Sequence, residues 1–284
     1  MPRILSRIPI VNRLPGVRGG TLVPVVRLHG VIGDAGRFRR GLTIASTATV
    51  LHRAFAIPGP AVALSINSPG GSPAQSDLIA RRIRALAEEK KKKVYAFVED
   101  VAASGGYWLA TAADEIYAVE SSFIGSIGVI SGGFGFPELI AKLGVERRLY
   151  TAGEHKVRLD PFSAENPDDR AWLEKLQKDV HGFFKDRVKT SRGKRLKATQ
   201  KKAFSGDVWL GPEALEMGLI DGIGDMRGIC REKFGKDVVL KLIEGKTGFV
   251  SRLLGRSQGG LTPDLAESAI AALEERALWS RYGL

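Results

Sequence analysis

The sequence predicts an α/β fold built around a mainly parallel sheet. Short apolar runs typical of buried strands alternate with segments in which apolar residues recur at helical spacing. Residues 61–66 and 94–98 are two such runs, and glycine-bearing turns follow them at 68–72 and 103–106. Because the carboxyl ends of parallel strands meet at one edge of a sheet, both turns are expected on the same side of the molecule.

The other elements are assigned in chain order by the same two periodicities. Strands are predicted at 22–32, 61–66, 94–98, 115–119, 145–150 and 238–243, with 123–131 forming a turn into a further strand. Helices are predicted at 43–56, 74–89, 103–113, 137–143, 168–188, 212–217 and 264–280. The helix over 168–188 is expected to bury a stripe made of Trp172, Leu176, Val180 and Phe183 or Phe184.

The length and composition favour one large domain with small additions. The chain has 284 residues, of which 44% are hydrophobic, and this is enough for a full core. Residues 1–20 are expected to form a basic N-terminal arm, and 21–247 the main domain. Residues 248–284 are expected to form a linker followed by an amphipathic C-terminal helix.

The charge balance bears on partners rather than on fold. A formal net charge of +12 favours acidic partners, anionic lipid surfaces or nucleic acid. The basic tract 185–202 has no interleaved aromatic residues, so we expect a solvated face and no specific nucleic-acid binding. No run reaches the ~18 apolar residues that a bilayer span needs, so a cytoplasmic location is expected. Apolar residues alternate with arginines in the arm, which leaves peripheral contact with the inner membrane open.

Ser104 is the candidate nucleophile. It follows an apolar strand and precedes a helical pattern, where free backbone N–H groups and the positive end of the helix dipole are found. Gly105 and Gly106 leave room beside it for a substrate backbone. In the other turn, the N–H groups of Gly70 and Gly71 are placed to hold a developing oxyanion. The alternatives are a helix-capping serine and an ordinary Pro-Gly turn.

A general base is needed to activate a serine, and two neighbouring residues compete for that role. Lys156 qualifies if it is buried and neutral, whereas an isolated lysine in a basic protein is more often a surface residue. His155 is adjacent and stays an alternative. No G-x-S-x-G elbow surrounds Ser104, which disfavours an α/β-hydrolase. No cluster of Cys, His and carboxylate residues has metal-ligand spacing, and neither metal nor cofactor is expected.

Taken together, five motifs resemble the signal peptide peptidase A family, also called protease IV, of Ser–Lys serine peptidases. The resemblance covers about residues 23–244 and includes one copy of each motif, as in the short members of the family. The motifs are Asn67-Ser68-Pro69-Gly70-Gly71, Ala103-Ser104-Gly105-Gly106-Tyr107, Gly125-Ser126-Ile127-Gly128-Val129, Gly153-Glu154-His155-Lys156 and Gly218-Leu219-Ile220-Asp221.

The resemblance implies a fold and a set of roles. The fold is that of Clp protease and crotonase, with repeated β-β-α units around a mainly parallel sheet, and 21–247 becomes the peptidase domain. Ser104 is the nucleophile and Lys156 its general base. Ser126 orients the lysine, and the N–H groups of Gly71 and Gly105 form the oxyanion hole.

The resemblance also implies substrates and assembly. Family substrates are extended apolar peptides, including remnant signal peptides. The short members form homo-oligomeric rings or domes, expected to be octamers, whose serine and lysine come from neighbouring subunits. Many bacterial members carry an N-terminal membrane anchor that this sequence lacks, which favours a cytoplasmic oligopeptidase. The alternative function is a crotonase-like protein that binds acyl groups or acyl-CoA without peptidase activity.

Overall fold

The computed structural model describes residues 20–33, 41–244 and 276–284. Residues 1–19 of the predicted N-terminal arm lie outside the described residues, and so do residues 248–275 of the predicted linker and C-terminal helix. Within the predicted C-terminal helix, residues 276–280 are helical. The described helices contain no segment that is long and apolar enough to cross a membrane.

Eight strands form one mixed, mostly parallel sheet. They are β1 (Leu22–His29), β2 (Ala61–Ser68), β3 (Lys93–Ala103), β4 (Glu115–Ala118), β5 (Phe123–Gly125), β6 (Val208–Leu210), β7 (Gly222–Ile223) and β8 (Val239–Leu242). The main path runs β6-β5-β3-β2-β1-β8, with β4 pairing both β3 and β7. Only β5 and β6 pair antiparallel among these strands. The predicted α/β class with a mainly parallel sheet is therefore confirmed.

The described helices lie between the strands in the chain. They are α1 (Ile44–Ala56), α2 (Pro73–Lys90), α3 (Gly105–Ala110), α4 (Pro137–Lys142), α5 (Pro167–Arg192), α6 (Gln200–Ala203), α7 (Gly211–Glu216) and α8 (Met226–Phe234). The larger core joins one face of the sheet to α1, α2, α3 and the end of α5. A smaller core lies on the other face, where Cys230 of α8 packs beside Tyr95 and Phe97.

The third strand is longer than its apolar run. The predicted strand ends at Val98, but β3 continues through the exposed Glu99 and Asp100 to Ala103. Its first half pairs with β4, and Val101–Ala103 then pair with β5. Because β5 replaces β4 as the neighbour, β3 stays a regular strand up to Ser104, and the end of β5 lies beside Ser104.

The strand predicted at 145–150 is wrong. These residues form no regular element and expose their apolar side chains, including Leu149 and Tyr150. A β-strand needs a neighbour for its backbone hydrogen bonds, and no described strand lies next to this segment.

The buried stripe predicted for α5 is only partly right. Phe184 is buried as expected and stacks on Trp108, with ring centroids 4.8 Å apart. Trp172 and Leu176 are exposed, because only the second half of α5 packs on the core. Phe183 is exposed because it faces away from the side of the helix that buries Phe184. The helix then runs on to a buried Arg192 that the predicted boundary at 188 missed.

The Gly218–Asp221 motif has a structural role that its sequence did not indicate. Arg192, whose side chain is fully buried, donates two hydrogen bonds to Asp221, at 2.7 and 2.9 Å, and a third to the Gly218 carbonyl. The N–H of Ile116 donates to the same carboxylate at 2.8 Å. Burial alone would raise the pKa of Asp221, but these hydrogen bonds outweigh it and lower the pKa below its usual value.

We expect Asp221→Asn to lower the free energy of unfolding at pH 7 by about 3 kcal/mol, because it leaves the Arg192 guanidinium buried without its counter-ion. A carboxylate with a lowered folded-state pKa contributes stability above the unfolded pKa of about 3.9, and loses it as the pH falls through the folded pKa. The difference between wild type and variant should therefore shrink in acid. Urea denaturation of wild type and Asp221→Asn at pH 7 and below pH 4 measures this difference in the free energy of unfolding.

The exposed Lys202–Glu213 pair supplies the control for this experiment. Glu213→Gln should change stability by about 1 kcal/mol or less. Equal losses in the two variants would contradict the structural role assigned to Asp221.

Candidate active site

Ser104 sits at the junction of β3 and α3 in a strained backbone conformation. Its φ of 51° and ψ of −121° lie in a region that residues other than glycine rarely adopt. The Ser104 N–H donates to the Gly125 carbonyl at 2.8 Å, and its carbonyl accepts from the N–H of Trp108 at 3.0 Å. These bonds hold the turn in place, and the half-buried side chain stands at the sheet edge.

The capping alternative for Ser104 does not hold. Its side chain makes no capping hydrogen bond to α3. By contrast, the Ser72 side chain accepts a hydrogen bond from the N–H of Gln75 and caps α2 in the ordinary way. The hydroxyl of Ser104 is therefore not used to terminate a helix.

The glycine turn after β2 lies directly against Ser104. Gly70 has a φ of 111°, and a Cβ added there would stand 2.7 Å from the Cβ of Ser104. Gly71 and Gly105 are neighbours as well, since a Cβ on Gly105 would lie 3.4 Å from the Gly71 nitrogen. Within the described part of the chain, the N–H groups of Gly71 and Gly105 donate to no backbone acceptor. Two unused donors beside a strained serine are the components an oxyanion hole requires.

Ser126 reaches the same edge from β5. It also has a positive φ, 49°, and its N–H donates to the Asp207 carbonyl at 2.7 Å. The residue before it, Gly125, is the register partner of Ala103 on β3. The structure thus brings Ser126 close to the Ser104 turn, where the family resemblance places a hydroxyl.

Lys156 is not brought to this edge. It lies exposed in a turn, where its N–H donates to the Gly153 carbonyl at 3.2 Å. Its side chain forms no hydrogen bond with Ser104 or Ser126, all three residues being among those described. His155 is exposed in the same turn, so the geometry of one chain does not distinguish the two candidate bases.

The turn belongs to a section of chain, residues 129–166, that we call the lysine lobe. It has internal contacts, such as the pairing of Arg147 with Asp160 at 2.8 Å. Its helix α4 buries no residue. The lobe exposes a series of large apolar side chains, namely Ile130, Phe134, Leu139, Leu143, Val145, Leu149, Tyr150 and Leu159. So much apolar surface in one section is typical of an interaction face.

The remaining histidines are engaged elsewhere. His29 contacts the Ser65 hydroxyl at 2.6 Å, and that hydroxyl donates to Glu99 at 2.5 Å. Burial lowers the pKa of His29, although Glu99 opposes the shift. His181 contacts the Ile127 carbonyl at 3.0 Å, and His52 lies in α1. The His29–Ser65–Glu99 set is a group that sequence spacing did not reveal, because its members are contributed by three different strands.

We expect Gly70→Ala to lower the rate of the reaction at Ser104 by about 10²-fold or more, because the added methyl group would displace Ser104. Steady-state kinetics together with a melting curve measure this effect. Gly182→Ala in α5 is the control, because open space surrounds that position and alanine favours a helix. If both variants retain full activity, Ser104 does not depend on the glycine turn.

Comparison with known proteins finds a matching family model and several similar proteins. Residues 86–235 match the family model described as peptidase family S49. A Brucella abortus protein named as the Na(+)/H(+) antiporter NhaA is 50% identical over the whole of this chain, which spans 39% of that protein's length. A putative signal peptide peptidase SppA from Enterococcus faecium is 30% identical over 75% of this chain and 64% of its own length.

The fold is shared with a solved structure of low sequence identity. A membrane-bound stomatin-specific protease in complex with a substrate peptide aligns with a TM-score of 0.50 over 83% of this chain and 96% of its own. The sequence identity is 16%, so this similarity concerns the fold alone. It confirms the expected Clp-protease-like architecture.

Proposed function

Because the chain belongs to peptidase family S49, we propose that it is a serine endopeptidase with Ser104 as the nucleophile. One observation carries the proposal more than any other. A serine held at a positive φ lies beside two backbone N–H groups, of Gly71 and Gly105, that have no backbone acceptor in the described structure. That arrangement suits attack on a carbonyl carbon and stabilisation of the oxygen that becomes charged.

The proposed reaction is acyl transfer. Neutral Lys156 removes the Ser104 proton as the Ser104 oxygen attacks the peptide carbonyl. The tetrahedral oxyanion is held by the N–H groups of Gly71 and Gly105. The Lys156 ammonium then protonates the leaving amine, and a water molecule, deprotonated by the same lysine, hydrolyses the acyl-enzyme.

We further propose that Lys156 is supplied to Ser104 by a neighbouring copy of the chain. The exposed position of Lys156 supports this, and so does the apolar surface of the lysine lobe that carries it. Docking the lobe on another subunit would bury Lys156 and the apolar surface of the lobe. It would also remove water from the Lys156 amine, which favours the neutral form of that amine. Ser126, at the sheet edge, is the hydroxyl proposed to orient it. This arrangement requires a homo-oligomer, and the proposed octameric ring or dome is what the resemblance to the short family members implies.

The proposed substrates are extended apolar peptides, such as remnant signal peptides or other oligopeptides. This substrate class is the one that the resemblance to the signal peptide peptidase A family implies. We propose a cytoplasmic location. Peripheral contact at the inner membrane stays an alternative, which the apolar residues and arginines of residues 1–20 leave open. The crotonase-like acyl-binding alternative makes a different prediction, since only a peptidase should be labelled at Ser104 by a covalent serine probe.

The identity of the base is tested by two adjacent substitutions. We expect Lys156→Ala to lose activity by about 10²- to 10⁴-fold, the usual contribution of a general base. His155→Ala should retain most of its activity, because the imidazole is assigned no step.

The comparison is made by measuring peptide hydrolysis by wild type, Lys156→Ala and His155→Ala. Equal melting temperatures show that all three proteins are folded. An inactive His155→Ala beside an active Lys156→Ala would reverse the assignment.

A further inference from the structure

The pairing of β2 with β3 changes register just before the active site. Ile66 pairs with Val98 and Ser68 pairs with Ala102, so β3 advances four residues where β2 advances two. The extra residues belong to the segment 99–101, which we call the β3 bulge. Bulges are common beside active sites, where they redirect side chains and change which residues of two strands face each other.

The β3 bulge sets the position of Ser104 relative to the glycine turn. Ser104 and Gly70 each lie two residues beyond the last residue pair of β3 and β2. A Cβ on Gly70 would accordingly stand 2.7 Å from the Cβ of Ser104. If the pairing continued evenly from Ile66, Gly70 would instead be level with Ala102. Two residues of a strand span about 7 Å, so the nucleophile would then lie well past the proposed oxyanion hole.

Asp100, at the centre of the β3 bulge, contacts the residue that leads into the glycine turn. The Asn67 amide nitrogen donates to the Asp100 carboxylate at 2.5 Å. A carboxylate only accepts hydrogen bonds, so this contact fixes which end of the amide faces β3. The other end, Oδ1 of Asn67, is buried and accepts no hydrogen bond from the described residues. Because a buried acceptor without a donor is unfavourable, the bond to Asp100 is what holds the amide in this orientation.

The glycine turn is held from two sides. Three backbone hydrogen bonds join it to the residues after β1, namely Gly30 N–H to the Asn67 carbonyl, Ile32 N–H to the Gly70 carbonyl and Ser72 N–H to the Ile32 carbonyl, at 2.9, 2.8 and 2.7 Å. On the other side, Asp100 ties the turn to the strand that leads to Ser104. The relative position of Ser104 and the Gly71 N–H therefore depends on the contact between Asp100 and Asn67.

We propose that Asp100 is a positioning residue, which holds the β3 bulge against Asn67 and so keeps Ser104 level with Gly70 and the Gly71 N–H. The proposal rests on the proposed peptidase function, because it assigns Asp100 an effect on that reaction. Asp100 itself touches no reacting atom. Its loss should weaken the stabilisation of the oxyanion, which exists only in the transition state, and should leave substrate binding unchanged.

The first measurement separates kcat from KM in steady-state peptide hydrolysis. We expect Asp100→Ala to lower kcat by about tenfold or more, because small displacements of catalytic groups are costly, while KM stays within about twofold of wild type. Asp100→Asn should retain most of the activity, since its amide oxygen can accept the same hydrogen bond from Asn67. Asp179→Ala, which removes an exposed aspartate of α5, is the matched control and should be fully active.

A double substitution tests the contact itself. Asn67→Asp places a second carboxylate within hydrogen-bond distance of Asp100, and the repulsion should lower kcat about as much as Asp100→Ala does. Asn67→Asp/Asp100→Asn again places an amide beside a carboxylate, with the two roles exchanged, and should recover most of kcat. The recovery measures the coupling between the two side chains.

Hydrogen exchange of the glycine turn gives a readout that needs no turnover. In Asp100→Ala, the amides of residues 67–72 should exchange about tenfold faster than in wild type, whereas those of α5 should be unchanged. Unchanged exchange in the turn would overturn the proposal, and so would equal kcat for wild type and Asp100→Ala, or a double variant no more active than Asn67→Asp. If the wild-type chain hydrolyses no peptide, the peptidase assignment fails, and the exchange measurement by itself decides whether Asp100 holds the turn.

Discussion

Ser104→Ala should abolish peptide hydrolysis, with a fall in kcat of about 10³-fold or more. The expected size follows from the loss of the nucleophile, because an oxyanion hole and substrate binding alone give only a small residual rate. Release of product from a peptide library, compared with wild type at equal protein concentration, measures the change.

The same variant should keep its fold. Only the Ser104 hydroxyl is removed. The backbone hydrogen bonds of Ser104, which donates to the Gly125 carbonyl and accepts from the Trp108 N–H, do not involve it. We expect the free energy of unfolding to change by about 1 kcal/mol or less. Ser121→Ala, which alters an exposed serine just before β5, is the matched control and should be fully active. Undiminished turnover by a well-folded Ser104→Ala protein would remove the assignment.

Mixing inactive Ser104→Ala subunits with inactive Lys156→Ala subunits should restore activity. If each site combines the serine of one chain with the lysine of another, random exchange leaves about one site in four with both wild-type residues. A site built within one chain would recover nothing. The exposed turn that holds Lys156 is the structural reason to expect recovery.

The experiment requires conditions that allow subunits to exchange, such as brief dilution followed by reconcentration. The control replaces the Ser104→Ala subunit with Ser104→Ala/Lys156→Ala, which supplies no lysine and should restore no activity. Size-exclusion chromatography of the same samples reports assembly. A wild-type chain that is fully active as a monomer would contradict the shared site.

Local sequence determined most of the elements and part of the site. Alternating strand and helix periodicities placed β1, α1, β2 and α2 within a few residues, because each buries a face that its own spacing defines. Ser104 was expected at a strand-to-helix junction and is found there. The convergence of Gly71 and Gly105 could also be predicted, since parallel strands end at one edge. Ser126 was placed beside them only by the family resemblance, because its segment was predicted as a turn leading into a strand.

Tertiary structure decided the strand limits and the burial of side chains that depend on residues distant in the sequence. β3 extends past its apolar run because β5 replaces β4 as its neighbour, and residues 145–150 form no strand because none lies beside them. Exposure of Lys156 and the burial of Arg192 against Asp221 likewise depend on packing. Tyr282 could not be placed on Phe123 by any local pattern, because a contact between residues so far apart in sequence is selected by the folded surface and not by periodicity.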